Sequence, residues 1–244
     1  MKAIVPLRAK RKKPSFFFVM AIVAMLAVFI GFSKTFFIPV GEGTFTAPWP
    51  VHLHGVFAFL WIILFLVQSS LIQFKKYYFH QILGMLGIFV AAGVFITMVP
   101  VGLFAVKKEL GLGLGPTAYS GFVGVLTSGL MFFSLVVAGI YNRKKPNLHK
   151  RLMLLATIVV LWPAWFRFRH FFPNIPNPEI WFAVVLADSL IIVAWIWDKL
   201  RNGKVHPILL YIGLFIILEH TFEVLAFDSA LWRKLAIWFY AIFT

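Results

Sequence analysis

The sequence predicts an all-α fold, a seven-helix transmembrane bundle formed by one integral membrane domain over residues 1–244. Three observations lead to it. The chain is 61% hydrophobic and only 13% charged, a composition far from that of a soluble domain. Its apolar residues fall into seven stretches of about the length that crosses a bilayer. Lipid offers no hydrogen-bond partners to the backbone, so these stretches should be helices.

The seven stretches follow one another through short connections and leave no room for a separate soluble domain. The fifth reaches full length only if its helix begins near Asn147. Residues 229–244 contain Trp232, Trp238 and Tyr240, but their apolar part is too short to cross, so we expect a short interfacial C-terminal helix. The spans cover about residues 15–32, 54–74, 81–104, 119–141, 152–166, 180–197 and 207–227.

The distribution of charge predicts the orientation of the bundle. The chain has 23 Lys and Arg residues against 8 Asp and Glu residues, a formal net charge of +15. The positive-inside rule places the side with most of the basic residues in the cytoplasm, so the amino end is cytoplasmic and the carboxyl end external. Basic residues precede span 1 and follow spans 2, 4 and 6: Lys2, Arg8, Lys10, Arg11, Lys12, Lys13, Lys75, Lys76, Arg143, Lys144, Lys145, Lys150, Arg151, Lys199, Arg201 and Lys204.

These basic residues also predict the partners of the protein. A net charge of this size would suggest nucleic acid in a soluble protein. Here the basic residues flank apolar spans, so we expect anionic lipids of the bilayer at the cytoplasmic face, and no nucleic acid. The expected location is the bacterial inner membrane, as a multi-pass protein, where other membrane subunits are further candidate partners.

The histidines are the first candidates for chemistry. The chain has no cysteine, which excludes disulfides and thiolate metal sites. The positive end of a helix dipole disfavours a protonated imidazole, and neutral imidazole is the form that binds a metal or haem iron. The sequence therefore points to haem b or a divalent metal as candidate cofactors. The candidate ligands lie at or near the starts of spans: His52, His54, His80, His149 and His206.

Three of these histidines should lie at one depth. His80, His149 and His206 belong to the cytoplasmic ends of spans 3, 5 and 7, and Asp198 ends span 6. Together they form a candidate metal set. Alternatively the histidines cap helices or contact lipid, and Asp198 pairs with a neighbouring Lys or Arg. A haem would need two axial histidines at matched depth, such as His80 with His149, or His54 with His220.

A second polar set is expected in the outer half of the membrane. Ionisable groups so deep are costly and usually face the interior of a bundle. Two interpretations follow, either an internal salt bridge of Arg167 with Glu219 or Glu223, or a metal, haem-propionate or proton-relay role. The set comprises Arg167, His170, Asp188, Glu219, His220 and Glu223.

Several short motifs, taken in order, resemble a family of bacterial seven-span inner-membrane proteins of similar length. They are HLHG at 52–55, HxxLG at 80–84, HKRLMLLAT at 149–157 and, within DKLRNGKVHP at 198–207, the motif GxxHP. The resemblance covers roughly residues 15–240. It implies the fold and the inner-membrane location, and it implies no activity.

Three classes of function follow from these patterns. The first is a non-catalytic subunit or assembly factor of a membrane complex, in which the polar residues serve helix contacts. The second is a histidine-ligated haem- or metal-binding redox protein. The third is a lipid-active enzyme or proton-coupled transporter that uses the outer polar set. The leading hypothesis is the first, because it requires no ligand site, and no specific reaction is predicted.

Overall fold

The computed structural model describes residues 13–244, and within that range every regular element is helical. Seven helices are long and apolar enough to cross a membrane, which confirms the predicted number and order of spans. An eighth helix follows them. The helices are α1 (Phe16–Gly41), α2 (Trp49–Gln73), α3 (Tyr77–Gly111), α4 (Gly115–Tyr141), α5 (Pro146–His170), α6 (Glu179–Asn202), α7 (Pro207–Ala226) and α8 (Ala230–Phe243).

Most helices extend beyond the apolar stretches that predicted them, because a hydrogen-bonded helix continues through polar residues at the membrane surface. α1 passes through a π-helical turn at Ser33–Phe37 before it ends at Gly41. α3 has 35 residues, or about 52 Å, against the predicted 81–104. α5 begins at Pro146, a residue favoured at the first helical position, and thereby reaches the length expected for a start near Asn147.

α5 is the central helix of the bundle. It packs against α1, α2, α4, α6 and α7, and its side chains Leu155, Ile158 and Val159 are almost completely buried. α1 approaches the backbone of α5 closely at Gly31, where an added Cβ would collide with the backbone carbonyl oxygen of Ala164. A glycine is required there because it lets the two backbones touch.

The terminal helix α8 folds back onto α4. Trp232 donates a hydrogen bond from Nε1 to the Ser120 carbonyl oxygen at 3.0 Å. Asp228, in the turn before α8, accepts hydrogen bonds from the hydroxyls of Thr117 at 3.0 Å and Ser120 at 2.9 Å. The 14 residues of α8 span about 21 Å, too short for a hydrocarbon core of about 30 Å. The predicted short C-terminal helix is therefore present.

The connections between the helices alternate between the two sides of the bundle. The α2–α3, α4–α5 and α6–α7 connections lie on one side of the bundle, here named the basic side, because they carry Lys75, Lys76, Lys144, Lys145 and Lys204. The α1–α2, α3–α4 and α5–α6 connections lie on the opposite side. The predicted basic run that precedes Lys13 falls outside the described residues.

Replacing Gly31 by alanine should destabilise the bundle. The new methyl group would force α1 away from the backbone of α5, at a cost of about 1–3 kcal/mol. The matched control is Gly55→Ala in α2, since an added Cβ at Gly55 meets no atom within 4 Å. We expect a lower melting temperature of the purified protein for Gly31→Ala alone. Equal melting temperatures of the two variants would contradict this packing.

Candidate functional site

Four ionisable side chains meet between α6 and α7, deep in the bundle. We name Asp188, Glu219, His220 and Glu223 the carboxylate–histidine cluster. The His220 Nδ1 atom lies 2.8 Å from Asp188 Oδ1, and its Nε2 atom lies 3.9 Å from Glu219 Oε2. His220 and Asp188 are buried, with 1% and 4% of their surfaces exposed. The His220 ring therefore lies between a buried carboxyl group, Asp188, to which it is hydrogen-bonded, and a half-buried one, Glu219.

Helical geometry places the members of the cluster together. Glu219 and Glu223 are four residues apart on α7 and share a face. Glu223 packs against Gly124 of α4, where any added Cβ would overlap its carboxyl group. On α6 the segment Glu179–Leu186 is π-helical and ends shortly before Asp188. Such turns shift the direction of the side chains that follow and are frequent at functional sites.

Two carboxyl groups of the cluster lie well away from the ends of their helices. Asp188 is nine residues from the start of α6, which is about 13 Å. Glu219 is seven residues from the end of α7, which is about 10 Å. Both distances are measured from the side opposite the basic side, so the two groups share a depth, as predicted. Glu223 is only three residues, about 4.5 Å, from the end of α7, so it lies nearer to that side than the other two carboxyl groups.

The cluster is unbalanced in charge and incompletely hydrogen-bonded. Three carboxyl groups face one imidazole, and within residues 13–244 no Lys or Arg lies within salt-bridge distance of Asp188, Glu219 or Glu223. Three of its buried atoms have no hydrogen-bond partner in this range: Asp188 Oδ2, Glu219 Oε2 and His220 Nε2. Burying a polar atom without a hydrogen-bond partner is costly, so these atoms are candidates to bind a proton.

The predicted salt bridge of Arg167 with Glu219 or Glu223 is wrong. The Arg167 guanidinium instead donates to the Pro163 carbonyl oxygen at 2.7 Å and to Thr35 Oγ1 at 3.2 Å, and it lies 4.1 Å from the centroid of the Phe32 ring. α1 thus supplies Thr35 and Phe32, and α5 supplies the Pro163 carbonyl oxygen. The sequence did not point to Thr35, because the predicted span 1 ended at residue 32.

His170 also lies outside the carboxylate–histidine cluster. It is exposed at the end of α5, and its backbone carbonyl oxygen accepts a hydrogen bond from Lys34 Nζ at 2.9 Å. The predicted outer set of six residues is therefore divided by the structure. Asp188, Glu219, His220 and Glu223 come together, while Arg167 and His170 belong to the contact between α1 and the end of α5.

The two histidines of the HLHG motif have separate surroundings. His52 is exposed and its ring is edge-on to Phe45 at 5.4 Å between centroids. His54 Nδ1 lies 2.9 Å from Thr97 Oγ1. Because the Thr97 hydroxyl donates to the Gly93 carbonyl oxygen at 2.6 Å, His54 must be the donor to Thr97. His54 therefore joins α2 to α3, while His220 is held by Asp188, and the expected His54–His220 haem pair is not supported.

His80 and His149 approach each other near the basic side. Their ring centroids are 6.3 Å apart with an interplanar angle of 82°. His149 Nδ1 lies 2.8 Å from the Gly139 carbonyl oxygen, to which it donates as an N–H group. The buried atoms His80 Nδ1 and Gln68 Oε1 have no hydrogen-bond partner among the described residues. Of the predicted ligands, these two histidines are the pair that the structure brings together.

Asp198 and His206 belong to a different network. The Asp198 carboxylate forms a buried bidentate pair with Arg151, accepting from Nε at 3.2 Å and from Nη2. It also accepts from Asn202 Nδ2 at 2.6 Å and from the His206 backbone N–H at 2.7 Å. Arg151 completes the network by donating to the Asn147 carbonyl oxygen at 2.7 Å. Asp198 was expected to pair with Lys199, Arg201 or Lys204, and its partner is Arg151 on α5.

The predicted metal set of His80, His149, His206 and Asp198 is not supported. The structure divides it into the His80–His149 pair and the Asp198 network. Across residues 13–244, no three His, Asp or Glu side chains are arranged to hold a metal ion. The set fails because Asp198 is already satisfied by Arg151, a residue that the sequence pattern assigned to the exposed basic loop.

His206 caps α7, as the motif GxxHP predicts. Its Nδ1 atom accepts a hydrogen bond from the Ile208 backbone N–H at 3.3 Å, and Pro207 occupies the first helical position. Burial, followed by the positive charge of Arg151, lowers the pKa of His206 below its ordinary value. The ring is therefore neutral at physiological pH, with its proton on Nε2, because Nδ1 acts as an acceptor.

Removing one member of the Arg151–Asp198 pair should destabilise the protein strongly. Arg151→Gln leaves a buried carboxylate without its cation, which costs about 3–5 kcal/mol. The double variant Arg151→Gln, Asp198→Asn removes both charges and should recover part of the loss. Arg143→Gln is the control, since the Arg143 side chain is exposed. Thermal melts of the purified variants measure the effect, and a fully additive double variant would contradict the pairing.

Comparison with known proteins gives no relative for this chain: no family model, no curated protein and no solved structure matches it. The chemistry of its side chains is therefore the basis for a functional inference. The carboxylate–histidine cluster is the strongest candidate site, since it combines depth, burial, unbalanced charge and unpartnered polar atoms in one place.

Proposed function

We propose that the protein is a proton-coupled membrane transport protein that binds and releases a proton at the carboxylate–histidine cluster. The observation that carries the proposal is the proximity of three carboxyl groups and one imidazole between α6 and α7, where none of the Lys and Arg residues in 13–244 lies within 4 Å of these carboxyl groups. Intramembrane Asp, Glu and His residues that face a bundle interior are typical of proton relays.

Electrostatics explains why such a cluster would exchange protons. A full negative charge on each of three neighbouring carboxyl groups would be very unfavourable in a medium of low dielectric constant. Binding protons reduces this charge, and the Asp188–His220 hydrogen bond provides a path along which one can be shared. Protonation therefore stabilises the cluster. It would not stabilise the Arg151–Asp198 pair, whose charges are balanced and whose hydrogen bonds are complete.

We also propose the orientation and location of the protein. The amino end lies in the cytoplasm of a bacterial cell, the protein resides in the inner membrane, and the carboxyl end is external. The positive-inside rule supports the orientation, because the connections of the basic side carry most of the lysines of the loops. In this orientation the carboxylate–histidine cluster lies nearer the outer face, where protons are supplied when the membrane is energised.

The other classes of function make different predictions. In a non-catalytic subunit or assembly factor, the cluster serves helix contact. Substitutions in the cluster would then change the yield of folded protein, and neither the wild type nor the variants would carry a proton flux. A histidine-ligated redox protein would use His80 and His149, the approaching pair, and not the cluster. For a lipid-active enzyme, substitution in the cluster would abolish turnover of lipid.

The orientation predicts the behaviour of a fused reporter. Alkaline phosphatase, which is active only outside the cytoplasm, should be active when it is fused after Thr244. It should be inactive when it is fused after Lys145, in the α4–α5 connection on the basic side. Activity after Lys145 with none after Thr244 would invert the proposed topology.

The proposed function predicts proton movement by the purified protein in liposomes. A potassium gradient with valinomycin sets the membrane potential, and a pH-sensitive dye inside the vesicles reports proton entry. Wild-type vesicles should acidify faster than protein-free vesicles. Asp188→Asn and Glu223→Gln remove exchangeable protons from the cluster and should reduce the added rate about 100-fold or more, the scale on which loss of a positioned proton-transfer group acts.

Glu42→Gln is the matched control, because Glu42 is an exposed carboxylate in the α1–α2 connection. Its proton flux should equal that of the wild type. Each variant is compared at equal amounts of folded protein, judged by gel filtration. Wild-type flux no greater than that of protein-free vesicles, or equal flux in Asp188→Asn, Glu223→Gln and the wild type, would refute the proposal.

A further inference from the structure

A polar recess opens at the basic side between the beginnings of α5 and α7. It has a volume of about 150 Å³ and its lining includes Asn147, Lys204 and His206. A second hollow of about 290 Å³ adjoins it, shares Asn147 and His206 with it, and is also lined by Lys145. We name the two together the basic recess. The carboxylate–histidine cluster is on the other half of the bundle, so the basic recess is a separate site.

The floor of the basic recess is rigid and electrically neutral. Arg151 and Asp198 lie there and neutralise each other, and Asn202 and the His206 backbone N–H bind the remaining carboxylate positions. Because this network is fully hydrogen-bonded, it fixes the start of α7 against α5. The positions of Asn147 and His206 at the rim are fixed with it.

The rim of the basic recess is positive. Lys145 and Lys204 are exposed, and among residues 13–244 no carboxylate lies within 4 Å of either. His206 presents Nε2–H as a donor, because its Nδ1 atom is the acceptor for Ile208 N–H. The amino ends of α5 and α7, at Pro146 and Pro207, add positive partial charge. Neither helix has an acidic residue in its first turn to offset it.

An exposed apolar stripe leads from the basic recess along α7 into the hydrocarbon region. Pro207 lines the recess, and Tyr211, Leu214 and Leu218 follow it at four, seven and eleven residues, on the same face of the helix. These three side chains are 68%, 43% and 59% exposed. A molecule with a phosphate in the recess would therefore meet an apolar surface directly beneath it.

We propose that the basic recess binds the phosphate of an anionic glycerophospholipid, whose acyl chains lie along the α7 stripe. Lys145 and Lys204 provide the charge that favours an anionic headgroup over a zwitterionic one, and His206 Nε2 and the Asn147 amide provide hydrogen-bond donors. The stripe distinguishes a lipid from a free phosphate, since a soluble anion gains nothing from Tyr211 and Leu214. The partner is one lipid molecule at a fixed place, in addition to the general attraction of basic loops to anionic membranes.

Calorimetric titration of the full-length protein, stripped of lipid in a neutral detergent, tests this proposal. The probes are dioctanoyl phosphatidylglycerol, dioctanoyl phosphatidylcholine and glycerol phosphate. We expect phosphatidylglycerol to bind with one site per chain and at least about tenfold more tightly than either other probe. The Lys145→Gln, Lys204→Gln variant should weaken that binding by about 10–30-fold, since each lysine near an anionic surface contributes to affinity on this scale.

Two control variants isolate the site from general effects of charge and apolarity. Lys75→Gln, Lys76→Gln removes two lysines from the α2–α3 connection on the same side and should leave the affinity unchanged. Tyr211→Ala, Leu214→Ala should weaken phosphatidylglycerol binding, while Met85→Ala, Phe89→Ala, at exposed positions of α3, should not.

Three results would overturn the proposal. Equal binding of phosphatidylglycerol and phosphatidylcholine would remove the anionic specificity. An equal loss of phosphatidylglycerol affinity in the Lys75→Gln, Lys76→Gln variant would show that general electrostatic attraction, and not the basic recess, binds the lipid. Glycerol phosphate binding as tightly as the lipid would make the ligand a soluble phosphate. Each variant is first shown to elute from gel filtration as the wild type does, so that a loss of binding does not reflect unfolding.

Discussion

Hydrocarbon cannot hydrate a charge, and the arrangement of this bundle depends on that constraint. Each ionisable group inside the spans must find its partners in the protein or hold a proton. α5 is the central helix in packing, and it also carries two arginines that depend on partners within the protein. Arg151 near its start and Arg167 near its end are both bound by groups of the protein, through Asp198 in one case and through Thr35 and the Pro163 carbonyl in the other.

The bundle meets this constraint in two contrasting ways. Near the basic side, Arg151 and Asp198 form a pair whose charges cancel and whose hydrogen-bond donors and acceptors are matched. This pair stabilises the contact of α5, α6 and α7 without a change in its protonation. Between α6 and α7, the carboxylate–histidine cluster has more acidic groups than basic ones and leaves His220 Nε2 and Asp188 Oδ2 unmatched. This arrangement is the basis of the proposal that the cluster exchanges protons.

The sequence predicted the spans because hydrophobicity and length determine them almost alone. It also predicted the depth of Asp188 and Glu219 from the rise of a helix. It did not predict which charges pair, since that depends on which helices are neighbours. Arg151 was assigned to a loop because it follows Lys150 in a basic run. In the structure it lies in the second turn of α5, and its side chain is buried. Arg167 was predicted to pair with Glu219 or Glu223, because its partner Thr35 lies in a part of α1 beyond the apolar stretch.

The proposed function requires that the carboxylate–histidine cluster holds exchangeable protons inside the membrane. Infrared difference spectroscopy of the reconstituted protein, between acidic and alkaline buffer, measures it directly through the carbonyl stretch of protonated carboxyl groups. The account predicts a band that shifts in deuterated water and loses intensity in both Glu219→Gln and Glu223→Gln, but not in Glu42→Gln. A wild-type spectrum without such a band, or one unchanged by both cluster substitutions, would contradict it.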